Sequence, residues 1–187
     1  MSFKGAFRSI IDFLSDIAKI VAISLLIIIP IRYFIVQPFF VRGASMEPSY
    51  QQGDYLLVDE ISYRFSEPER GEVIVFKFPG NTSQFYIKRI IGLPGETIII
   101  KEGEITIQNN KNPEGFVLDE PYINELMTPG DLEISLESTE YFVLGDNRDA
   151  SHDSRRWGPL NERFIVGRVL LRAFPFNKFN VIDAPNY

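Results

Sequence analysis

The sequence predicts a mainly β fold: a coiled, barrel-like antiparallel sheet carrying a small β-rich cap, preceded by one N-terminal transmembrane helix. Three observations predict it. Residues 17–37 are almost wholly apolar over about 20 positions, the length that crosses a bilayer core. Beyond them, short runs rich in Val, Ile, Phe and Tyr alternate with turns built on Gly, Pro, Asn and Asp. No part of that outer region sustains the period of an amphipathic helix, so a sheet closing on itself is the way to hide its edges.

The anchor comes first. A buried helix of a soluble domain carries a polar stripe, whereas the run from Ile20 to Ile31 offers only Ser24. Lys19 and Arg32 sit near its ends, where long side chains snorkel. Lys4, Arg8 and Lys19 outweigh Asp12 and Asp16 under the positive-inside rule, which keeps residues 1–16 in the cytoplasm and puts residues 38–187 outside. A cleaved signal peptide would need a small-x-small site close behind the apolar run. Ile35-Val36-Gln37-Pro38-Phe39-Phe40 is bulky there, and Ala44 lies too far on.

The outer domain then runs strand by strand. Gly53-Asp54 turns into Tyr55-Leu56-Leu57-Val58-Asp59, and Arg70-Gly71-Glu72 turns into a run from Val73 to Phe78. Further strands are expected at 84–91, 97–100, 104–108, 140–144 and 164–171, with Lys101-Glu102-Gly103 as a hairpin turn. The polar, turn-rich stretch within about 101–138 reads as the cap. The chain has 187 residues, 45% of them hydrophobic, enough for one such domain and an anchor.

Composition closes off some functions. A net charge of −6 argues against sequence-independent nucleic-acid binding, which needs a basic face. With no cysteine there are no disulfides, thiolate nucleophiles or thiolate metal sites.

Directly after the apolar segment, Val41-Arg42-Gly43-Ala44-Ser45-Met46-Glu47-Pro48 sets a serine among small and apolar neighbours. We read Ser45 as a nucleophile, which requires an activating base and an oxyanion donor. Two bases compete. His152, the one histidine, would use Asp149 or Asp153 as its orienter. Lys88, flanked by Tyr86, Ile87, Ile90 and Ile91, serves as a base if burial in that apolar wall lowers its pKa; as an edge-strand charge it would face solvent instead. The loop from Gly145 to Pro159 is the densest polar stretch, and its ion pairs and hydroxyls suit a rigid network that holds a catalytic lysine. A calcium site from Asp146, Asn147, Asp149 and Asp153 is the competing reading, weakened by Arg148, Arg155 and Arg156 in the same loop.

Taken in order, Ser45-Met46-Glu47-Pro48, Gly53-Asp54, Arg70-Gly71-Glu72-Val73, Tyr86 through Glu96, Glu120-Pro121-Tyr122-Ile123 and Gly145 through Arg155 resemble the bacterial type I signal peptidases, membrane-anchored Ser-Lys endopeptidases. The resemblance runs from the anchor to near the C-terminus. It implies Ser45 as nucleophile, Lys88 as general base, and Ser151 as the hydroxyl that orients the lysine. Asp146, Arg148, Asp153 and Arg155 would form the supporting network, with Arg89 partnering Asp146. Phe39, Val41, Met46, Tyr50, Tyr86 and Ile87 would line shallow apolar substrate pockets for a peptide bound as an added strand. The oxyanion donor would be the Ser45 N–H; some members add a hydroxyl two residues earlier, where this chain has Gly43.

The activity so implied is removal of signal peptides after small-x-small (Ala-x-Ala) sites. Its partners are signal-peptide-bearing preproteins, the phospholipid bilayer and, transiently, the translocation machinery. No metal or organic cofactor and no nucleic acid takes part. The location is the bacterial cytoplasmic (inner) membrane, single-pass, with the catalytic domain on the outer face. Two alternatives stand beside it: a non-enzymatic anchored β-domain that binds peptides, and a self-cleaving Ser-Lys peptidase.

Overall fold

The computed structural model describes residues 3–34, 36–123, 127–182 and 184, with side chains at 12–28 and from 37 onward among them. Helix α1 (Phe3–Phe34) is continuous, and its described side chains are exposed throughout. It takes in most of the residues expected to form a separate N-terminal tail. The apolar positions 29–36 that complete the expected anchor lie outside the described side chains, and among the described residues no helix is long and apolar enough to cross a membrane.

The chain passes almost directly from α1 into strand β1 (Val36–Phe40), so the last two residues expected in the span are strand instead. β1 pairs with β2 (Tyr55–Asp59), which begins one residue after Asp54. β3 (Val73–Phe78) and β4 (Asn81–Gly92) form the long hairpin at the centre. Next come β5 (Thr97–Lys101), β6 (Glu104–Gln108), the short β7 (Phe116–Val117) and β8 (Leu132–Ser135). β9 (Glu140–Leu144) returns the chain to the main sheet. It is followed by a one-turn helix α2 (Ser154–Trp157), β10 (Leu160–Asn161), β11 (Ile165–Phe174) and β12 (Asn180–Val181).

All pairings are antiparallel. The large sheet runs β1-β2-β11-β3-β4-β9-β10, with β12 on β11, and a second sheet runs β7-β6-β5-β8. Strand β3 explains why the main sheet coils. Its residues Val73-Ile74-Val75-Phe76 are buried without alternation: Val73 and Val75 belong to one core, Ile74 and Phe76 to another. A strand covered on both faces needs apolar residues at every position, and this one has them. Gly167 lets β11 cross β2, because a β-carbon there would stand 2.2 Å from the Asp59 carbonyl oxygen.

The second sheet begins at Thr97 and runs through most of the stretch the sequence reading takes as a cap. The Glu102-Gly103 turn joining β5 to β6 has φ of 53° and 88°, the signs that a two-residue hairpin loop matched to strand twist demands. Ile98, Ile100, Ile105 and Ile107 pack from its inner face onto Ile91, Phe142 and Leu144 of the main sheet.

Candidate active site

Ser45 stands in the turn that follows β1. Val41 continues the ladder to Asp54 by hydrogen bonds in both directions across the strand pair (2.9 and 3.1 Å, the latter from Gly53 N). The chain then winds through a turn closed by Tyr50 N–H donating to the Met46 carbonyl at 2.8 Å. Met46 and Tyr50 point beneath this turn into the core formed with Leu56, Val58, Val73 and Val169. They fix the turn and are not among the lining of the cavity described below, although the sequence reading sets them in the substrate pockets.

Lys88 reaches Ser45 from β4. Its Nζ lies 2.8 Å from Ser45 Oγ and 2.8 Å from the Ile87 carbonyl oxygen, and the residue is only 3% exposed. Burial disfavours the ammonium and brings the pKa down to about 8, against a smaller upward pull from Asp153 and Asp146. The alternative of a solvated edge-strand lysine does not hold in this structure.

His152 makes no contact of that kind. Its exposed ring packs against Phe78 and Tyr86 (ring centroids 5.6 and 6.3 Å) at the rim of the same cavity, and Asp149 is exposed. Among the described residues neither hydrogen-bonds Ser45. The serine's partner is the lysine.

The polar loop is brought up behind Lys88. Gly145 is where the two segments touch, and Asn147 N–H donates to the Ser45 carbonyl at 3.1 Å. Ser151 is buried beside Gly145. The expected Ser151–Lys88 hydrogen bond is not formed: the hydroxyl is buried with no partner of full hydrogen-bond geometry, although it lies close enough to Asp153 to help depress that carboxyl.

Three buried arginine–carboxylate pairs stiffen the region. Arg89 holds Asp146 with two parallel bonds (Nε–Oδ1 2.9 Å, Nη2–Oδ2 2.6 Å), donates to the Gly71 carbonyl, and lies 3.9 Å from the Tyr122 ring centroid. This is the pairing expected from sequence, and its planar fork suits a guanidinium. Arg155 grips Asp153 in the same way (2.9 and 2.8 Å), while Asp153 also caps α2 and accepts from Gly145 N–H. Burial alone would raise the Asp153 carboxyl; the Arg155 hydrogen bonds, the nearby Ser151 hydroxyl and the Arg155 charge hold it below its usual range.

Arg148 does not pair within the loop. It reaches Glu120 of the cap through both guanidinium nitrogens, binds Thr128 Oγ1, and donates to the Gly145 carbonyl at 3.0 Å. Glu120 was not assigned a role from sequence. Its signal was present, since Arg148 needs a carboxylate and Asp146 and Asp153 already have nearer claimants. Those arginine bonds also disfavour the calcium reading, and among the described residues no group of three or more His, Asp or Glu could hold a metal ion.

A groove of about 580 Å³ opens in front of the Ser45–Lys88 pair. Phe39, Val41, Tyr86 and Ile87, the residues the sequence reading sets in substrate pockets, line it together with Leu56, Val75 and Phe85. Among the described residues, both of its long borders are strand edges without a neighbour. β1 is paired only to β2, and β4 meets β9 only from Arg89 onward, leaving 83–88 open on that side.

The chain matches the family described as "Signal peptidase, peptidase S26" over residues 14–174. A probable signal peptidase I-1 of Synechocystis sp. is 32% identical over 92% of this chain and 89% of that relative. Signal peptidase IB of Staphylococcus aureus is 32% identical over 85% of this chain and 88% of its own length. A signal peptidase I crystal structure from Enterococcus faecalis V583 is 31% identical, with a TM-score of 0.47 over 55% of this chain and 97% of that chain.

Proposed function

The chain belongs to the S26 signal peptidase family and is a serine peptidase of the signal peptidase I kind, and from that premise we propose that Ser45 is its nucleophile and Lys88 its general base. The observation that carries the proposal is the 2.8 Å separation of Lys88 Nζ and Ser45 Oγ at the head of a groove bordered by open strand edges. Neutral Lys88 takes the Ser45 proton as Oγ attacks the scissile carbonyl, and the Ser45 N–H donates to the oxyanion. The lysine then passes the proton to the leaving amine. It next takes a proton from water, the hydroxide oxygen attacks the acyl-enzyme ester, and Ser45 Oγ leaves with that proton.

The substrate enters as an added strand between β1 and β4, its small side chains in the apolar hollows beside Phe39, Val41, Tyr86 and Ile87. That arrangement favours cleavage after small-x-small sites of exported preproteins. Ser151, packed on Gly145 beside the serine turn, and the Arg89–Asp146, Arg148–Glu120 and Arg155–Asp153 pairs hold the serine turn and the polar loop in register with β4. The apolar segment 17–37 anchors the chain in the cytoplasmic membrane with residues 1–16 inside, which holds the groove on the outer face, where translocated preproteins emerge from the export machinery.

The test is cleavage of an Ala-x-Ala preprotein by the full chain in detergent or liposomes. Ser45→Ala and Lys88→Ala should abolish turnover while His152→Ala stays active. A dead His152→Ala with an active Lys88→Ala would overturn the base assignment.

A further inference from the structure

The groove in front of Ser45 carries charge of one sign. Its charged lining residues are Arg42 and Lys88, with not one Asp or Glu among the described residues, although the chain has 25 acidic residues against 19 Lys and Arg. Lys88 is buried and engaged with Ser45. Arg42 is the opposite case. It is exposed, and among the described residues its guanidinium makes no hydrogen bond or ion pair.

The strand pleat decides which part of a bound peptide Arg42 meets. Side chains alternate along this edge: Phe39 and Val41 turn toward the core, while Phe40 and Arg42 turn outward. A peptide strand laid beside it puts its pocket-filling side chains on the face of Phe39 and Val41, and its intervening side chains on the face of Phe40 and Arg42. The next residues, Gly43 and Ala44, carry too little side chain to cover the guanidinium.

We infer that Arg42 is a specificity-determining residue, favouring a carboxylate and disfavouring an ammonium at the outward-facing position between the two small residues of the cleavage site. The inference rests on the proposed reading of the groove as the preprotein site. An exposed pair of this kind contributes little on its own. Attraction for Glu and repulsion for Lys add, however, so the two peptides should differ about fivefold, less at high salt.

The test uses the full chain in neutral detergent with Ala-x-Ala peptides in which x is Glu, Gln or Lys. Cleavage is read as kcat/KM on the wild type, Arg42→Ala and Arg42→Glu, in detergent and on vesicles with and without an anionic phospholipid, and binding as Kd on Ser45→Ala, alone and combined with either Arg42 variant. The expected result is an about fivefold preference for Glu over Lys in both readouts, collapsing below about twofold with Arg42→Ala and inverting with Arg42→Glu. Equal Kd values for the Glu and Lys peptides, or a Glu preference that survives Arg42→Glu, would overturn the assignment and leave the Ser45–Lys88 reading standing. Should the wild type cut none of the peptides while the binding preference holds, the proposed reaction fails and Arg42 keeps its role. If Arg42→Ala leaves the preference intact and lowers turnover only on vesicles containing an anionic phospholipid, Arg42 serves a lipid headgroup and the inference is wrong.

Discussion

Gly145 lies so close to Ser151 that a β-carbon at 145 would stand 2.3 Å from the hydroxyl oxygen and 2.4 Å from the Ser45 carbonyl oxygen. The serine turn, the end of β9 and the loop carrying Ser151 therefore meet with no room for a methyl group. One of the clashing atoms is backbone, so the strain cannot be relieved by a rotamer change. Gly145→Ala is expected to push the serine turn off its register with Lys88 and to lower kcat/KM for preprotein cleavage about a hundredfold, the scale of a small misplacement of reacting groups. Kinetics alongside a denaturation midpoint check this, with activity falling further than stability.

Under the proposed mechanism Lys88 acts as a base only when neutral, so the rate should follow its titration. With the Lys88 pKa brought down to about 8 by burial, kcat/KM should rise tenfold per pH unit below that value and level off above it. A lysine near its ordinary value of 10.5 would still be gaining activity at pH 10. A pH–rate profile on wild type decides between them.

The same burial has a thermodynamic side. In the unfolded chain Lys88 holds its proton up to about pH 10.5, and in the fold only up to about pH 8. The fold therefore carries the full burden of the buried charge below pH 8, and sheds it as pH rises toward 10.5. Lys88→Met should stabilise the protein at pH 7, by up to about 3 kcal/mol less whatever the lost hydrogen bonds contributed. Denaturation of both proteins across that range should show the advantage shrinking with pH, while the variant has no peptidase activity.

The strands were readable because their rules are local. Alternation and turn residues placed β2, β3, β5, β6 and β9 to within a residue or two, and Glu102-Gly103 marked its own hairpin. β8 is not legible in sequence, because although Leu132-Glu133-Ile134-Ser135 alternates, the adjoining Thr128 to Asp131 reads as loop. α2 is one turn long, too short to leave a period, and only its cap, Asp153, is a sequence signal. Lys88 could not be assigned from spacing, since whether a strand lysine is wet or buried depends on what a loop 60 residues away brings to it. Met46 and Tyr50 are ambiguous from sequence for a related reason. An apolar residue in a turn beside a nucleophile can face the groove or the core, and only the packing of β2 and β11 settles which.

Arg148 and Glu120 tie the catalytic-side loop to the cap, and both are about 5% exposed. Burial alone would lower the Arg148 pKa, and the Glu120 carboxylate holds it up. Removing the carboxylate strands a buried guanidinium, so Glu120→Ala should destabilise the fold by about 3 kcal/mol. Glu120→Leu combined with Arg148→Met should recover much of that loss, because both charges then go together. Chemical denaturation of the three variants measures the difference.

Gly43 occupies the place where some members of the family carry an oxyanion-stabilising hydroxyl. Its φ of 88° is a conformation that glycine adopts freely, and the space where a β-carbon would project is open. A side chain there meets no steric wall, only the backbone penalty of the left-handed region, about 1 kcal/mol. Gly43→Ala and Gly43→Ser should therefore lose the same stability, and any difference in their turnover isolates the hydroxyl. A serine Oγ that reaches the developing oxyanion should make Gly43→Ser faster than Gly43→Ala in kcat at unchanged KM, since the interaction strengthens only in the transition state. Equal kcat for the two variants would mean that the turn holds the hydroxyl away from the oxyanion, and that the Ser45 N–H works without side-chain help from position 43.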